Sequence, residues 1–459
     1  MRYLINPVFA GKAVKRYFFD LNRLWKMDEK QLREYQWKQI RRMVKYACAN
    51  IPFYRKKYQD AGFSPDDLKT FDDFKKIPFV SKNELRKCSS KDLKPLKSKN
   101  GFIKTSTSGT MGKPVSIYVS MQEIVMGLLG YLRTLKEHGI NWKKDKIVLL
   151  LDLRRNSAER KYLNEGVIPS FKPFISFDNM RIYSFRVDSK KLIKELDGFQ
   201  PDFIGGYTGK LVHLALLREK GFGKNIAPKA MGSSGNTLDK YLRVLIEEAF
   251  DTRLFEAYGA TESGIIAFEC RNRRLHINDD LVYTEFMRDG EPVYDEPGNI
   301  VVTKLYGEGT PIIRYTGVND VVAPSNDACD CRLGGGLIKK IYGRDNWFLI
   351  FPGGKVMLPS AVSEVFSRVV YEFKTRMIKR FEIAQPGLNR IEIRVVINHK
   401  LNEGVSSEKV FSMIKTSFQE KLGSDSDVEI KIKEVDKIVG GRYITSKVDK
   451  NKFDRKIYL

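Results

Sequence analysis

The sequence predicts an α/β fold, with a large layered α/β domain on the N-terminal side and a smaller α+β domain joined to it by a hinge. From about residue 100, apolar runs typical of buried strands alternate with amphipathic helical segments, as they do in sheets covered by helices. After Gly343-Arg344 the pattern changes to one long helix and a short strand–helix–strand unit. We therefore expect a large domain over 1–342 and a small domain over 345–459.

The first 100 residues of the large domain are expected to be helical. Residues 12–60 are rich in helix formers, and the segment Glu29–Ala47 is followed by a helix stop at Asn50-Ile51-Pro52. Residues 61–95 predict short helices separated by turns that contain proline.

The α/β core is expected over 101–342. Its predicted strands are Val115–Val119, Ile147–Leu151, Phe203–Gly206, Arg253–Tyr258, Val282–Met287, Asn299–Tyr306, Ile312–Tyr315 and Leu337–Tyr342, and its predicted helices include Lys210–Lys220 and Leu238–Phe250. The small domain is predicted from helices at Ser360–Phe373 and Ser407–Leu422 and strands at Ile391–Ile397 and Val428–Val435.

The net charge of +25 is concentrated near the N-terminus, since residues 1–100 carry 25 Lys and Arg against 11 Asp and Glu. In Phe9–Trp25 the basic residues are interleaved with aromatic and aliphatic ones. Three interpretations stay open. The segment is a solvated helix with an apolar stripe facing the core, a helix on an anionic membrane surface, or a nucleic-acid contact. No recognisable motif supports nucleic acid, which we do not expect as a partner.

Composition excludes several classes of protein. A hydrophobic content of 42% allows a packed core, and no apolar run approaches the roughly 18–20 residues of a membrane helix. We find no signal peptide and expect a cytoplasmic enzyme, with peripheral contact at the inner face of the membrane as an alternative. Five cysteines are too few for a disulfide scaffold, and the absence of G-x-S-x-G argues against a hydrolase of that type.

The segment Thr105–Pro114 is the most informative stretch. It combines five hydroxyls, two glycines and Lys113 within ten residues, and such residues bind phosphate oxygens through side chains and backbone N–H groups. A Walker A loop requires a glycine five residues before Gly112 and a following helix. Here Thr107 occupies that position, Pro114 follows the lysine, and a strand is predicted next. We therefore expect a phosphate loop between two strands, formed by Thr107, Ser108, Gly109, Thr110, Gly112 and Lys113.

This segment resembles the pyrophosphate-binding signature T-S-G-T-T-G-x-P of adenylate-forming enzymes, with Met111 in place of the second threonine of the T-T pair. A second segment, Tyr258-Gly259-Ala260-Thr261-Glu262, matches the Y-G-x-T-E motif of the same superfamily. The resemblance implies that Thr261 contacts the adenylate and that Glu262 helps bind Mg²⁺ beside ATP. A metal there would neutralise the triphosphate.

Two further segments match in the expected order. Pro311–Asp320 resembles the motif that ends in Gly-Asp, although Val318 and Asn319 separate the two residues here. The resemblance implies that Asp320 holds the ribose hydroxyls. Gly343-Arg344-Asp345-Asn346 resembles the hinge motif G-R-x-D, which implies a nucleotide contact for Arg344 and a hinge role for Asp345 or Asn346.

The whole chain most resembles the phenylacetate–CoA ligase branch, including members found in capsule and surface-polysaccharide gene clusters. The resemblance implies that ATP activates a carboxylic acid to an acyl-adenylate, which is then transferred to CoA. Two alternatives stay open, namely transfer to a carrier protein or sugar precursor, and a degenerate relative without catalysis. The acyl pocket is expected to include Tyr207, Thr208, Ser233, Ser234 and Gly235.

The chain departs from the superfamily at two further positions. The usual catalytic lysine in a Gly-Lys context is replaced by Arg442 after Gly440-Gly441, and arginine does not reproduce the shape of lysine. Lys447 is an alternative for that role or a plain surface lysine. Asn236 stands where relatives often carry Glu.

Three cysteines and a histidine suggest a metal site. Cys270, His276, Cys329 and Cys331 would supply three thiolates and one imidazole, a donor set that suits closed, structural tetrahedral Zn²⁺. Some members of the resembling branch carry such sites. The alternative is a set of buried cysteines and a surface histidine.

Overall fold

The computed structural model describes residues 19–96, 101–106, 114–168, 176–345, 347–401, 404–423, 426–439 and 444–448. The strands in these ranges, in chain order, are β1 Ile103–Ser106, β2 Ser116–Val119, β3 Ile147–Leu151, β4 Met180–Ser184, β5 Phe203–Tyr207, β6 Ala230–Ser234, β7 Leu254–Ala260, β8 Gly264–Glu269, β9 Leu275–Ile277, β10 Val282–Arg288, β11 Glu291–Pro292, β12 Gly298–Lys304, β13 Asp320–Ser325, β14 Leu337–Arg344, β15 Leu349–Ile350, β16 Val356–Met357, β17 Ile378–Gly387, β18 Arg390–Ile397, β19 Glu429–Glu434 and β20 Ile444–Ser446.

The described residues form a twelve-stranded sheet, a four-stranded sheet and the two-stranded sheets β1-β2 and β15-β16, together with the following helices. The α-helices are Arg23–Lys26, Glu29–Asn50, Pro52–Asp60, Phe71–Lys75, Lys82–Lys87, Ser90–Leu93, Met121–Glu137, Ala158–Lys161, Ser189–Phe199, Thr208–Glu219, Lys240–Phe250, Pro359–Phe373 and Ser407–Leu422, with a π-helix at Tyr162–Val167. None of them is long and apolar enough to cross a membrane.

The larger sheet has the order β11-β10-β12-β13-β14-β9-β8-β7-β6-β5-β3-β4 in the described part of the chain. The strands β4, β3, β5, β6 and β7 run parallel, and the remaining neighbours are antiparallel. The apolar run of β3 fits this position, because parallel strands are buried on both faces. The predicted α/β fold class is confirmed.

A second sheet follows with the order β19-β18-β17-β20 and its own apolar core beneath Pro359–Phe373 and Ser407–Leu422. We call the residues up to Arg344 the large unit and those from 347 the small unit. Gly343 lies at the end of β14 with φ of +89°, a backbone conformation that favours glycine. The domain limits 1–342 and 345–459 stay a prediction that this layout supports.

One predicted strand was wrong. Ile312–Tyr315 is an extended loop in which Tyr315 makes isolated bridges to Val80 and Val302. Arg314 has φ of +44°, which breaks a strand. Its guanidinium holds this conformation by binding Glu285 at 2.8 Å and backbone carbonyls of the N-terminal helical region. The apolar run therefore reflects burial rather than a strand.

The described end of the basic N-terminal segment packs against the large unit. Leu21 and Leu24 are buried in a cluster that also holds Cys331 and Leu333, and Lys136 lies over the ring of Trp25. This is the packing expected of a helix with an apolar stripe facing the core. Residues 1–18 lie outside the described residues, so membrane contact by that part stays a prediction.

Candidate functional site

The site is built where parallel strands end. The strands β5, β6 and β7 end at Tyr207, Ser234 and Ala260, and these ends lie side by side because the three strands are neighbours in parallel register. In open α/β sheets, ligands bind beyond the carboxyl ends of the strands. The topology therefore brings the predicted acyl-pocket residues to the same edge as the Tyr258–Glu262 turn.

Glu262 is buried in the turn after β7, with 4% of its surface exposed. Its Oε1 accepts a hydrogen bond of 2.9 Å from the Tyr315 hydroxyl and lies 3.1 Å from Nζ of Lys82. Burial and the neighbouring carboxylate raise the pKa of Tyr315, which stays a neutral donor. The carboxylate predicted to bind Mg²⁺ is thus held in a fixed position beside a cation.

Sequence reasoning missed Lys82. The residue is the first of the helix Lys82–Lys87, and Ser81 and Glu84 form a capping box at that helix start. The capping box was visible in the sequence as Ser-x-x-Glu, and it predicts where the helix begins. It carries no information about the contact with Glu262, which is 180 residues away in sequence.

A second polar chain joins Tyr258, Asp320 and Arg344. The Tyr258 hydroxyl donates to Oδ2 of Asp320 at 2.9 Å, and Nε of Arg344 lies 3.4 Å from Oδ1. Burial raises the pKa of Asp320, while Arg344 and the Tyr258 hydrogen bond oppose this shift. Asn319 has φ of +56°, tolerated by asparagine in turns, and it places Asp320 as the first residue of β13 opposite Arg344. Three motifs distant in sequence therefore meet here.

We expect the substitution Tyr258→Phe to destabilise the protein by about 1–3 kcal/mol, because it removes the hydroxyl that donates to the half-buried Asp320 carboxylate and leaves that carboxylate to Arg344. Chemical denaturation checks this, with Tyr294→Phe as the control on an exposed tyrosine. Equal stability of the two variants would contradict the structural role of the Tyr258 hydroxyl.

The predicted acyl-pocket residues form two contacts. The hydroxyls of Thr208 and Ser233 lie 2.7 Å apart and are buried, so they satisfy each other. The Tyr207 hydroxyl donates to Oε1 of Glu159 at 2.8 Å, and its ring packs on Gly235, where a Cβ would come within 2.6 Å of the ring. Glu159 was missed by sequence reasoning, and burial raises its pKa. Ser234 lies at the end of β6 and is half-buried.

Several predicted residues lie outside the described residues. They are the phosphate-loop residues Thr107, Ser108, Gly109, Thr110, Met111, Gly112 and Lys113, the hinge residue Asn346, and Arg442. The ends of the phosphate loop are nonetheless tied together, because β1 pairs antiparallel with β2 and Ser106 faces Ser116. This is the loop between strands that the sequence predicts.

The remaining predicted residues are placed as follows. Thr261 lies in the same turn as Glu262, and Gly259 lies near the end of β7 just before it. The backbone N–H of Asp345 donates to the carbonyl of Asn319 at 3.0 Å. Lys447 is exposed just after β20, and its backbone N–H donates to Gln385. Its side-chain role stays a prediction.

The four predicted metal ligands come together. The ligand atoms of Cys270, His276, Cys329 and Cys331 all lie within 4.8 Å of one another, with Cys270 Sγ 3.7 Å from Cys329 Sγ and Cys331 Sγ 3.2 Å from His276 Nε2. Two sulfurs bound at about 2.3 Å to one tetrahedral Zn²⁺ stand about 3.8 Å apart, close to the separation of the first pair. The donor set and its compactness fit zinc.

This cluster is linked to the site by strands. Cys270 directly follows β8, which begins two residues after Glu262, while His276 lies in β9 and pairs with Leu337 of β14. The strand β14 ends at Arg344. A metal here would tie together the strands that carry the two sides of the site.

Comparisons with known proteins agree with the motifs. No family model matches the chain. The chain is 26% identical to Protein CapK of Staphylococcus aureus over 344 residues, covering 74% of this chain and 73% of that protein. It is 29% identical to a phenylacetate-coenzyme A ligase of Aromatoleum evansii over 412 residues, covering 86% and 88%.

Among solved structures, a 2-hydroxyisobutyryl-CoA ligase in the postadenylation state superposes with a TM-score of 0.73 at 19% identity, covering 95% of this chain and 93% of that chain. That likeness shows the shared fold. Together with the sequence matches, it confirms the resemblance that the four motifs predict.

Proposed function

We propose that this chain, a member of the adenylate-forming superfamily on its phenylacetate–CoA ligase-like branch, activates a carboxylic acid with ATP and transfers the acyl group to a thiol such as CoA. The observation that carries the proposal is that Glu262 and the Tyr258–Asp320–Arg344 chain lie at the same end of β7, where the charge of Glu262 acts on Asp320. The named ligases among its relatives support the same reaction.

The first half-reaction needs positioning and charge stabilisation rather than a side-chain nucleophile. An oxygen of the substrate carboxylate attacks the α-phosphorus of ATP, and pyrophosphate leaves. Asp320 and Arg344 hold the ribose, Thr261 contacts the α-phosphate, and the loop Thr107–Lys113 receives the departing pyrophosphate. Glu262 would hold Mg²⁺, which when bound neutralises triphosphate charge. A divalent ion at Glu262 would replace the contact with Lys82 and leave that cation free to face phosphate oxygens.

In the second half-reaction the thiol sulfur attacks the acyl carbonyl, and AMP leaves with the bonding electron pair. A small unit that turns about Gly343–Asn346 would bring Arg442 or Lys447 to the nucleotide in only one of the two steps. In the alternative proposal the acceptor is a carrier protein or a sugar precursor.

Release of AMP separates these acceptors. With a matched acid and ATP, the proposal predicts that adding CoA raises steady-state AMP release at least about tenfold, because CoA clears the bound acyl-adenylate. Acid-dependent AMP formation that stops near one equivalent, with or without CoA, would contradict CoA as the acceptor and favour the alternative.

We further propose that Cys270, His276, Cys329 and Cys331 bind structural Zn²⁺. We expect the purified protein to contain about one zinc per chain and to lose at least about 5 °C in Tm on treatment with a strong chelator, because the metal binds only the folded state. The variant Cys270→Ser should lack both the zinc and the chelator effect, and Cys48→Ser should retain both. Purified protein that contains no zinc, and whose Tm does not change on treatment with the chelator, would contradict this site.

A further inference from the structure

A cleft of about 430 Å³ lies between the large and small units, beside the carboxyl end of the edge strand β4 and four strands away from β7, which leads to Glu262. Its large-unit wall comes from residues 186–190 and the helix Thr208–Glu219, and its small-unit wall comes from Lys374, Arg376 and Leu401. The helix starts at the carboxyl end of β5 and rises about 1.5 Å per residue, which places Lys220 roughly 18 Å from that edge. The cleft is of the size that holds small ligands.

The lining is strongly basic. Five of its side chains are cations, namely Arg186, Lys190, Lys220, Lys374 and Arg376. The only carboxylate in the lining is Asp188, and it accepts a hydrogen bond of 2.9 Å from the backbone N–H of Lys191 at the start of the helix Ser189–Phe199. The positive charge of the lining side chains therefore exceeds the negative charge that Asp188 supplies.

Arg376 is the most informative of these cations. It is half-buried, and within the described residues no carboxylate forms an ion pair with it, whereas Lys374 lies 3.5 Å from Glu248. Burial lowers the pKa of Arg376, but a guanidinium stays charged at neutral pH. A partly desolvated cation without a counter-charge is costly unless an anion joins it.

Beside these cations lie the neutral imidazole of His213, in the lining, and the buried cation Lys210 behind it. Nζ of the buried Lys210 donates to the carbonyl of Val187 at 2.7 Å and to Oγ of Ser189 at 2.9 Å, which holds the start of the helix Ser189–Phe199 in place. Burial, followed by the charges of Arg376 and Lys210, lowers the pKa of His213 to about 3, so its imidazole is neutral. The positive end of the helix dipole also lies here, although Asp188 accepts from the backbone N–H of Lys191.

We propose that this cleft is a binding site for a phosphate group of at least two negative charges, distinct from the ATP site and bridging the large and small units. Planar guanidinium and flexible ammonium groups together surround such an anion, and the imidazole adds an uncharged donor. Two sources have this chemistry. One is free inorganic phosphate or pyrophosphate, and the other is the phosphates of a nucleotide such as CoA.

Calorimetric titration with inorganic pyrophosphate tests the site. Each protein carries Lys113→Gln in addition, to weaken the predicted phosphate loop. We expect saturable binding that the pair Lys190→Gln and Arg376→Gln weakens at least about tenfold. The matched control Lys379→Gln changes an exposed lysine of the small unit outside the cleft and should bind like the parent.

The proposal would be overturned if the double variant kept the affinity of the parent for pyrophosphate, CoA and dephospho-CoA alike, or if the parent bound none of them. If the Arg376 variant does not fold, as judged by circular dichroism, the pair Lys190→Gln and Lys220→Gln replaces two exposed lysines and gives the same test.

Titration with CoA and dephospho-CoA identifies the source. If the double variant binds CoA about tenfold more weakly than the parent but binds dephospho-CoA equally well, the site takes the 3′-phosphate. If the affinity for both ligands falls to the same extent, the site takes their diphosphate. Weakening of pyrophosphate alone assigns the inorganic anion. Each of these three results supports the site. It would be contradicted if the double variant bound all of these ligands with the affinity of the parent.

Discussion

Replacing Glu262 by glutamine is expected to lower acid-dependent AMP formation by at least about 100-fold, because the amide keeps the shape of the side chain but not the charge that would hold Mg²⁺ beside the triphosphate. The amide oxygen can still accept the hydrogen bond from Tyr315, so the turn after β7 should keep its position. The measurement is the initial rate at saturating ATP and acid. The Tm of each protein shows that it is folded.

Glu291→Gln is the matched control for this substitution, since Glu291 is exposed in the short edge strand β11. That variant should retain the rate of the parent protein. A folded Glu262→Gln protein whose rate falls less than about threefold would show that the carboxylate does not act on ATP.

Replacing Arg133 by leucine is expected to lower the free energy of unfolding by about 3–5 kcal/mol, because it removes the fully buried cation beside Asp280 and leaves that carboxylate only the contact of 3.3 Å with the more exposed Arg23. Arg133 and Asp280 are 1% and 0% exposed and form two contacts of 2.8 Å. The same guanidinium binds Asn278 and the carbonyls of Asp20 and Leu21, so it joins the N-terminal segment to the sheet. Urea denaturation monitored by tryptophan fluorescence measures the loss.

The double variant Arg133→Leu with Asp280→Leu tests the physical reason. Removal of both charges leaves no isolated buried ion, so the double variant should be less destabilised than the sum of the two single variants. Additive effects would mean that the pair does not act as a unit.

The sequence predicted three of the five parallel strands, β3, β5 and β7, but not β4 or β6, whose residues mix apolar with polar or small side chains. The spacing of apolar residues predicted the strand β3 and the helices Thr208–Glu219 and Lys240–Phe250. This signal is visible because it depends only on residues that are close together in the sequence. The same reasoning failed at Ile312–Tyr315, because a buried loop and a buried strand have the same apolar composition. The positive φ of Arg314 and its bonds to Glu285 and to backbone carbonyls distinguish the loop from a strand, and none of them is visible in the sequence.

The site was predictable to the extent that its residues lie within motifs. Glu262, Asp320 and Arg344 were identified in this way, and the structure brings Asp320 and Arg344 into contact. Lys82 and Glu159 were missed because each acts on a partner far away in sequence, Glu262 or Tyr207. Such contacts arise from packing of separate elements, and no local pattern encodes them. The cation cleft shared by the two units was missed for the same reason.

Acid-dependent exchange of pyrophosphate into ATP tests the central proposal most directly, since it reports formation of the acyl-adenylate without any acceptor. The panel should contain aryl, fatty, hydroxy and amino acids, with Glu262→Gln as the inactive control. The account predicts exchange with at least one class of acid that the control abolishes. Absence of exchange across the panel, in protein that also fails to bind ATP, would contradict it.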